Sequence, residues 1–217
     1  MKKAVIIGAR ADGHAKVVLE ILLAAGKVEV LGFIDDDPSR KGQHIRNYPV
    51  LGTLAELPVL IKEMQVEAGI VAIGHNSMRR KLSASIEKMG LELINAIHPS
   101  VLIDSDVIIG KGNYLGQGVI IVTGTIIGNC VNIHTGTTID HDNRISDGAN
   151  LGPGVHTAGR VQIAQDAFLG AGTIVIPDGS IGEGAITGAG AVITRPVPSH
   201  VTVVGVPAQI IKTHPPA

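Results

Sequence analysis

Every sixth residue from position 97 to position 193 is Ile, Leu or Val, with Thr157 and Thr187 as the two departures. The register runs through nearly half the chain without an insertion. An α-helix repeats every 3.6 residues and a plain strand every two, so neither sustains this period. Self-similarity of this kind marks a parallel β-helix, in which each aliphatic side chain points inward from a short strand. Three hexads close one triangular coil, so residues 18 apart stack at equivalent places. Three positions after each aliphatic, from Gly112 to Gly190, Gly dominates and Asp142, Asp166 and Asp178 recur. That pattern predicts a corner forced towards positive φ. One position later stand small residues or Val, such as Val119, Thr125 and Ala149, which share the interior.

Residues 1–97 carry a different pattern. Lys3–Gly8 reads as a buried strand, and His14–Ala25 as a helix with Val17, Val18, Ile21 and Leu22 on one face. Val28–Ile34 reads as a second strand, closed by Asp35-Asp36-Asp37-Pro38. Ala68–Ile73 is a third, ending at Gly74. Ser77–Met89 then reads as a helix and Leu91–Ile97 as a last strand. Strands alternating with helices predict a parallel sheet with right-handed crossovers. The expected organisation is an α/β domain over 1–97, then a β-helix over 98–217 with a C-terminal cap.

Composition narrows this. Hydrophobic residues make up 45% of the chain but aromatics only 2%, so the interior is built from aliphatics. A net charge of −1 disfavours nucleic-acid binding. The single cysteine, Cys130, excludes an internal disulfide and fits a reducing, cytoplasmic compartment. Arg10 and Asp12 interrupt the first apolar run too early for a signal peptide, and no stretch approaches a membrane span.

Several short motifs go further: Gly13-His14-Ala15-Lys16-Val17-Val18, Phe33-Ile34-Asp35-Asp36, and Ala72-Ile73-Gly74-His75-Asn76. To these add Ile97-His98-Pro99-Ser100, Asp140-His141-Asp142, Ala158-Gly159 and Gly205-Val206-Pro207-Ala208. With the hexads, the chain resembles the sialic acid O-acetyltransferase–like family of hexapeptide-repeat acetyltransferases. That family includes the N-acetyltransferases acting on nucleotide-linked 4-amino sugars of the bacillosamine and perosamine pathways. The resemblance implies a Rossmann-like first domain for the sugar nucleotide and a left-handed β-helix. It also implies a homotrimer with acetyl-CoA bound between neighbouring subunits. The implied reaction is direct N-acetylation of a UDP- or GDP-linked 4-amino-4,6-dideoxyhexose; acetylation of a sugar hydroxyl is the alternative.

Acyl transfer to an amine needs a base and donors for the developing oxyanion. His141 is the best base in the chain, since imidazole titrates near neutrality. It lies two after Ile139, at a corner, with its ring expected to point outward. Gly159 follows one coil later, about 4.8 Å along the axis. The resemblance makes His141 the catalytic base and directs the Gly159 amide to the thioester carbonyl; otherwise His141 is a solvated turn histidine. The family places an acidic residue at Asp142, although Asp is an ordinary occupant of that corner here.

His134, His141 and His156 fall one, two and five residues after their aliphatics, so they do not share a corner and no metal is expected. Cys130 has no adjacent base for a covalent mechanism. In the first domain Asp12, Gly13 and His14 belong to a glycine-bearing turn suited to a diphosphate at a helix N-terminus. This turn departs from the family, with four residues rather than two between Gly8 and the Gly-His pair, and it is not GxGxxG. Asp35 and Asp36 are placed to meet ribose or base groups, or else form a solvated turn. Gly74 marks a close backbone approach or a plain turn. For acetyl-CoA, the resemblance points to Asn150, Gly159, Ala171 and Ala189.

Overall fold

Short β-branched runs at the start of the chain pair into a parallel sheet because amphipathic helices connect them. In the computed structural model, which describes residues 1–9 and 13–215, the chain forms two units, Met1–Pro99 and Ser100–Ala217. The first contains β1 (Lys2–Ile7), α1 (His14–Ala25), β2 (Val28–Ile34), β3 (His44–Ile45), β4 (Tyr48–Gly52), α2 (Leu57–Met64), β5 (Ala68–Val71), α3 (Asn76–Lys88) and β6 (Glu92–Leu93). The sheet order is β3-β4-β2-β1-β5-β6, parallel except for the β3–β4 hairpin.

α1 buries Ala15, Val18, Leu19, Ile21 and Leu22, and ends where Gly26 turns left-handed (φ 61°), its N–H returning to the Leu22 carbonyl. Val5, Ile7, Ile34, Val71, Ile86 and Leu91 form part of one apolar cluster. At roughly 25 cal/mol per Å² this burial is the main force holding the helices to the sheet.

The bounds of α1 and β2 are those the periodicity predicts. The last strand is not. The ladder with β5 closes with the Ile94 N–H on the Gly69 carbonyl (3.2 Å), and the chain leaves the sheet there before a separate pair at Ala96–Ile97. The β3–β4 hairpin and α2 interrupt the stretch between β2 and β5; their short, mixed pattern carries no readable period.

The second unit is a parallel β-helix of two-residue strands, each paired with the strand 18 residues away. One face stacks Tyr114–Leu115, Asn132–Ile133, Asn150–Leu151, Phe168–Leu169 and Ile186–Thr187. A second runs from Leu102–Ile103 through Thr138–Ile139 to Val192–Ile193. The third runs from Ile108–Ile109 through Arg144–Ile145 to Ser180–Ile181. The second residue of each pair is the hexad residue, aliphatic except at Thr157 and Thr187, and Leu115, Ile133 and Ile139 are completely buried.

The corner residues take the predicted conformation. Besides the glycines, Cys130 (φ 55°), Asp142 (59°), Arg160 (60°), Asp166 (57°) and Asp178 (60°) are left-handed. An antiparallel hairpin, Val201–Gly205 with Ala208–Thr213, ends the repeat, its first strand extending the face of Ile186–Thr187.

Candidate active site

The corner after Ile139 brings Asp142 together with His141 and Gly159, the two residues that the repeat count had stacked. The His141 Nδ1 lies 2.8 Å from Asp142 Oδ2. A carboxylate only accepts, so Nδ1 carries the proton and a neutral ring presents a lone pair at Nε2. That nitrogen faces Gly159: a Cβ added there would overlap Nε2 and lie 2.5 Å from Cε1. Gly159 is buried beneath the imidazole, so glycine is a steric requirement of the ring's position.

The backbone holds the corner from both sides. The Arg160 N–H donates to the His141 carbonyl (2.9 Å), and the Asp142 N–H to the Thr123 carbonyl (3.0 Å). The His141 N–H donates to its neighbour, Asp140 Oδ1 (2.8 Å).

Two further residues keep Asp142 available, and sequence reasoning missed both roles. Gly124, one coil earlier at φ 72°, leaves the space that the Asp142 carboxylate occupies. One coil later, Arg160 would be a competing cation, but Asp178 engages it with two bonds (2.7 and 2.9 Å). Each partner shifts the other: Arg160 holds the Asp178 carboxyl below its ordinary range, and Asp178 raises the Arg160 guanidinium. The available signal was the spacing, since 124, 142, 160 and 178 form one column.

Of the residues expected to meet acetyl-CoA, Gly159 lies at this corner and Asn150, Ala171 and Ala189 do not. Ala171 and Ala189 are exposed on the corner after the Asn150 face, linked by the Gly190 N–H on the Ala171 carbonyl (2.8 Å). Asn150 itself is only 3% exposed, on a strand of that face. Gly159 therefore shares no corner with Ala171 and Ala189. His134 packs at 5.2 Å from the Tyr114 ring, and His156 meets Thr138 Oγ1 at 2.7 Å on the second face. Among the described residues no group of three His, Cys, Asp or Glu is arranged to hold a metal.

In the first unit the parallel register brings the ends of β1, β2 and β5 to one edge. Gly8 (φ 104°) donates to the Ile34 carbonyl, and Asp35 follows directly. Asp35 is largely committed: Oδ2 accepts the Ala9 N–H (2.7 Å) and Oδ1 the Asp37 N–H (3.0 Å). Through these two bonds it ties the strand ends together. Asp36 is exposed, and one of its oxygens takes the Leu54 N–H (3.2 Å).

Gly13 caps α1 from extended backbone and His14 is the first helical residue; Asp12 lies outside the described residues. Gly74 is exposed, and among the described residues no atom lies within 4 Å of where a Cβ would stand, so packing does not demand glycine there. The fully buried Arg79 guanidinium donates to the Ile73 carbonyl (3.0 Å) and to Asn76 Oδ1 (3.1 Å), fixing the loop that carries Gly74. A cleft of about 380 Å³, lined by Ala9, Asp37, Arg40, Gln43 and His44 among others, opens at the same end of the sheet.

Residues 3–86 match the family described as the PglD N-terminal domain. The chain is 32% identical over 205 residues to the GDP-perosamine N-acetyltransferase of Escherichia coli O157:H7, covering 92% of this chain and 81% of that one. It belongs to the hexapeptide-repeat sugar N-acetyltransferases. The repeat domain is accordingly a left-handed β-helix. A crystal structure of the Caulobacter crescentus perosamine N-acetyltransferase, in complex with CoA and GDP-perosamine, superposes with a TM-score of 0.91 at 40% identity over 98% of both chains. That structure is of a variant in which one histidine is replaced by asparagine. The Bacillus subtilis UDP-N-acetylbacillosamine N-acetyltransferase is 34% identical over 120 residues, which is 53% of this chain and 51% of that one. The chain spans 20% of an uncharacterised Acanthamoeba polyphaga mimivirus protein that it matches over 106 residues.

Proposed function

We propose that this protein transfers the acetyl group of acetyl-CoA to the 4-amino group of a nucleotide-linked 4-amino-4,6-dideoxyhexose, with His141 as general base. The observation that carries this reading is the His141–Asp142 pair set over Gly159. The amine nitrogen attacks the thioester carbon while its proton passes to His141 Nε2. Asp142 steadies the imidazolium that forms, and the Gly159 N–H stabilises the developing oxyanion. The C–S bond then breaks, and the imidazolium returns the proton to the leaving CoA thiolate. Transfer is direct: the one thiol, Cys130, is buried, and the His141 ring is hydrogen-bonded to a carboxylate rather than to a hydroxyl or thiol it could activate.

The first unit takes the nucleotide sugar, with Gly13, His14, Asp35, Asp36 and Gly74 as its contacts and Asp12 beside them in sequence; Asp35 also organises that edge. Two perosamine N-acetyltransferases are similar over 92% and 98% of this chain, and the one solved with GDP-perosamine is 40% identical, which favours GDP over UDP. Acetyl-CoA is the cosubstrate and lies between subunits of a homotrimer. The placement of Gly159 on one corner and of Ala171 and Ala189 on another supports this, because one chain does not bring them to the same stretch of ligand. Asn150, buried on its face, would need a neighbouring rearrangement to join them. No described helix is long and apolar enough to cross a membrane, and the lone thiol fits a cytoplasmic setting.

The test is thiol release from acetyl-CoA with GDP- and UDP-linked sugars bearing either an amine or a hydroxyl at C4. The rate should require the amine and fall by roughly 10²-fold or more in His141→Ala. An unchanged rate without the amine would establish O-acetylation instead. Activity surviving in His141→Ala would remove the general-base role. Sedimentation checks the trimer.

A further inference from the structure

We infer that Asn143, a residue of the β-helix interior, is a positioning residue that aims the Gly159 N–H at the reacting acyl group. Four residues after each aliphatic, the interior takes side chains such as Val119, Ala149, Val155 and Ala167, all completely buried. Asn143 occupies the same register, is completely buried, and leaves its Oδ1 without a hydrogen-bond partner. An aliphatic would fill this place with a smaller desolvation penalty.

Its Nδ2 is fully engaged. It donates to the carbonyls of Asp140 (2.7 Å), Ala158 (2.9 Å) and His141 (3.2 Å). These carbonyls belong to the two consecutive coils that carry the base and the glycine. At other corners a main-chain bond closes the turn, as in Ala149 N–H to Ser146 and Val155 N–H to Gly152 (both 3.3 Å). Here the Asn143 N–H turns to Thr125 Oγ1 (3.3 Å), and the carboxamide holds the carbonyls.

The Ala158 carbonyl and the Gly159 N–H belong to one trans peptide, so they point in opposite directions. Drawing the carbonyl into the interior sends the N–H outward, to the side where the His141 ring lies against Gly159. One carboxamide thus fixes the oxyanion donor relative to the base. This inference rests on the acetyl-transfer reading above.

Asn113 is the comparator. It is equally buried and at the same register on a different corner, its Nδ2 on the Gly128 carbonyl (2.9 Å) and its Oδ1 accepting the Val131 N–H (2.6 Å). Steady-state kinetics of the full chain, with melting curves, would compare Asn143→Val, Asn143→Thr, Asn113→Val and His141→Ala. Asn143→Val should lower kcat about tenfold or more, leaving both KM values within about threefold and the pH–rate profile unmoved. Asn143→Thr should recover most of kcat, because the Thr125 and Thr137 hydroxyls already reach a carbonyl one coil on (3.1 Å each). Asn113→Val should lose stability but keep kcat.

The inference is overturned if Asn143→Val retains kcat, if Asn143→Thr is as slow as Val, or if Asn113→Val is equally slow. Should Asn143→Val not fold, Asn143→Ala takes its place with the same expectation, since Ala149 fills that register. If His141→Ala also turns over normally, the acetyl-transfer reading fails; if only Asn143→Val does, this inference fails alone.

Discussion

Gly159→Ala isolates the steric relation at the centre of the site. An added Cβ would overlap His141 Nε2, lying 2.5 Å from Cε1 and 3.0 Å from Cδ2. Non-bonded carbon contacts settle near 3.5 Å, so the ring must recede by about 1 Å. The side chain is 41% exposed and free to turn aside, and Gly159 is not left-handed, so alanine brings no backbone strain. Folding stability should therefore change by less than about 0.5 kcal/mol. The base, however, leaves both its Asp142 bond and its line to the amine. A displacement of about 1 Å costs roughly 10²-fold in rate, or about 2.7 kcal/mol of transition-state stabilisation.

Thiol-release kinetics and a melting curve on the same preparation measure both quantities. In a His141→Ala background the same substitution should cost less than about threefold, because there is no ring left to displace. The reasoning is refuted if Gly159→Ala keeps kcat within about twofold, or if the loss is just as large without His141.

Asp106→Ala tests the acid side of stability. The Asp106 carboxylate accepts from the Thr123 hydroxyl (2.7 Å) and, more weakly, from the Gly124 N–H (3.0 Å), which holds its pKa below the ordinary carboxylate value. A depressed carboxylate contributes stability above its unfolded value and loses it as pH falls through the folded one, so the melting gap to wild type should be full at neutrality and close as the pH drops below the ordinary carboxylate range. A gap independent of pH would show that the charge is irrelevant. Arg79→Met should strip the Ile73 and Gly74 carbonyls of their buried donor and cost about 1–3 kcal/mol in denaturant titration. Nucleotide-sugar affinity should weaken while the KM for acetyl-CoA holds; an equal loss in both would assign Arg79 to general stability.

The β-helix was legible because its cause is local and repeated. An aliphatic every six residues places each inward side chain by the same step, and a left-handed corner is tolerated only by Gly and a few polar residues. The same counting set His141 and Gly159 one coil apart. It was silent on Asp142, since Asp166 and Asp178 take the same turn with Gln165 and Pro177, not a histidine, before them. That question depends on what neighbouring coils leave open. Gly124 supplies the space and Asp178 occupies Arg160, so the Asp142 carboxylate is left to the imidazole.

In the first unit α1 and β2 follow from periodicity, whereas the β3–β4 hairpin is too short to show one. At Asp35 the sequence offers a ligand-facing carboxylate or a solvated turn; only the packed sheet adds that it holds the Ala9 and Asp37 amides. Asn143 makes the same point from the interior. In sequence it is one of several polar residues at an inward register, and its work becomes visible when residues 15 apart are brought within hydrogen-bond reach. Periodic patterning determines where backbone and inward side chains go, because each step depends on near neighbours. The pairing of polar groups depends on which competitors the fold brings close, and that is settled only in three dimensions.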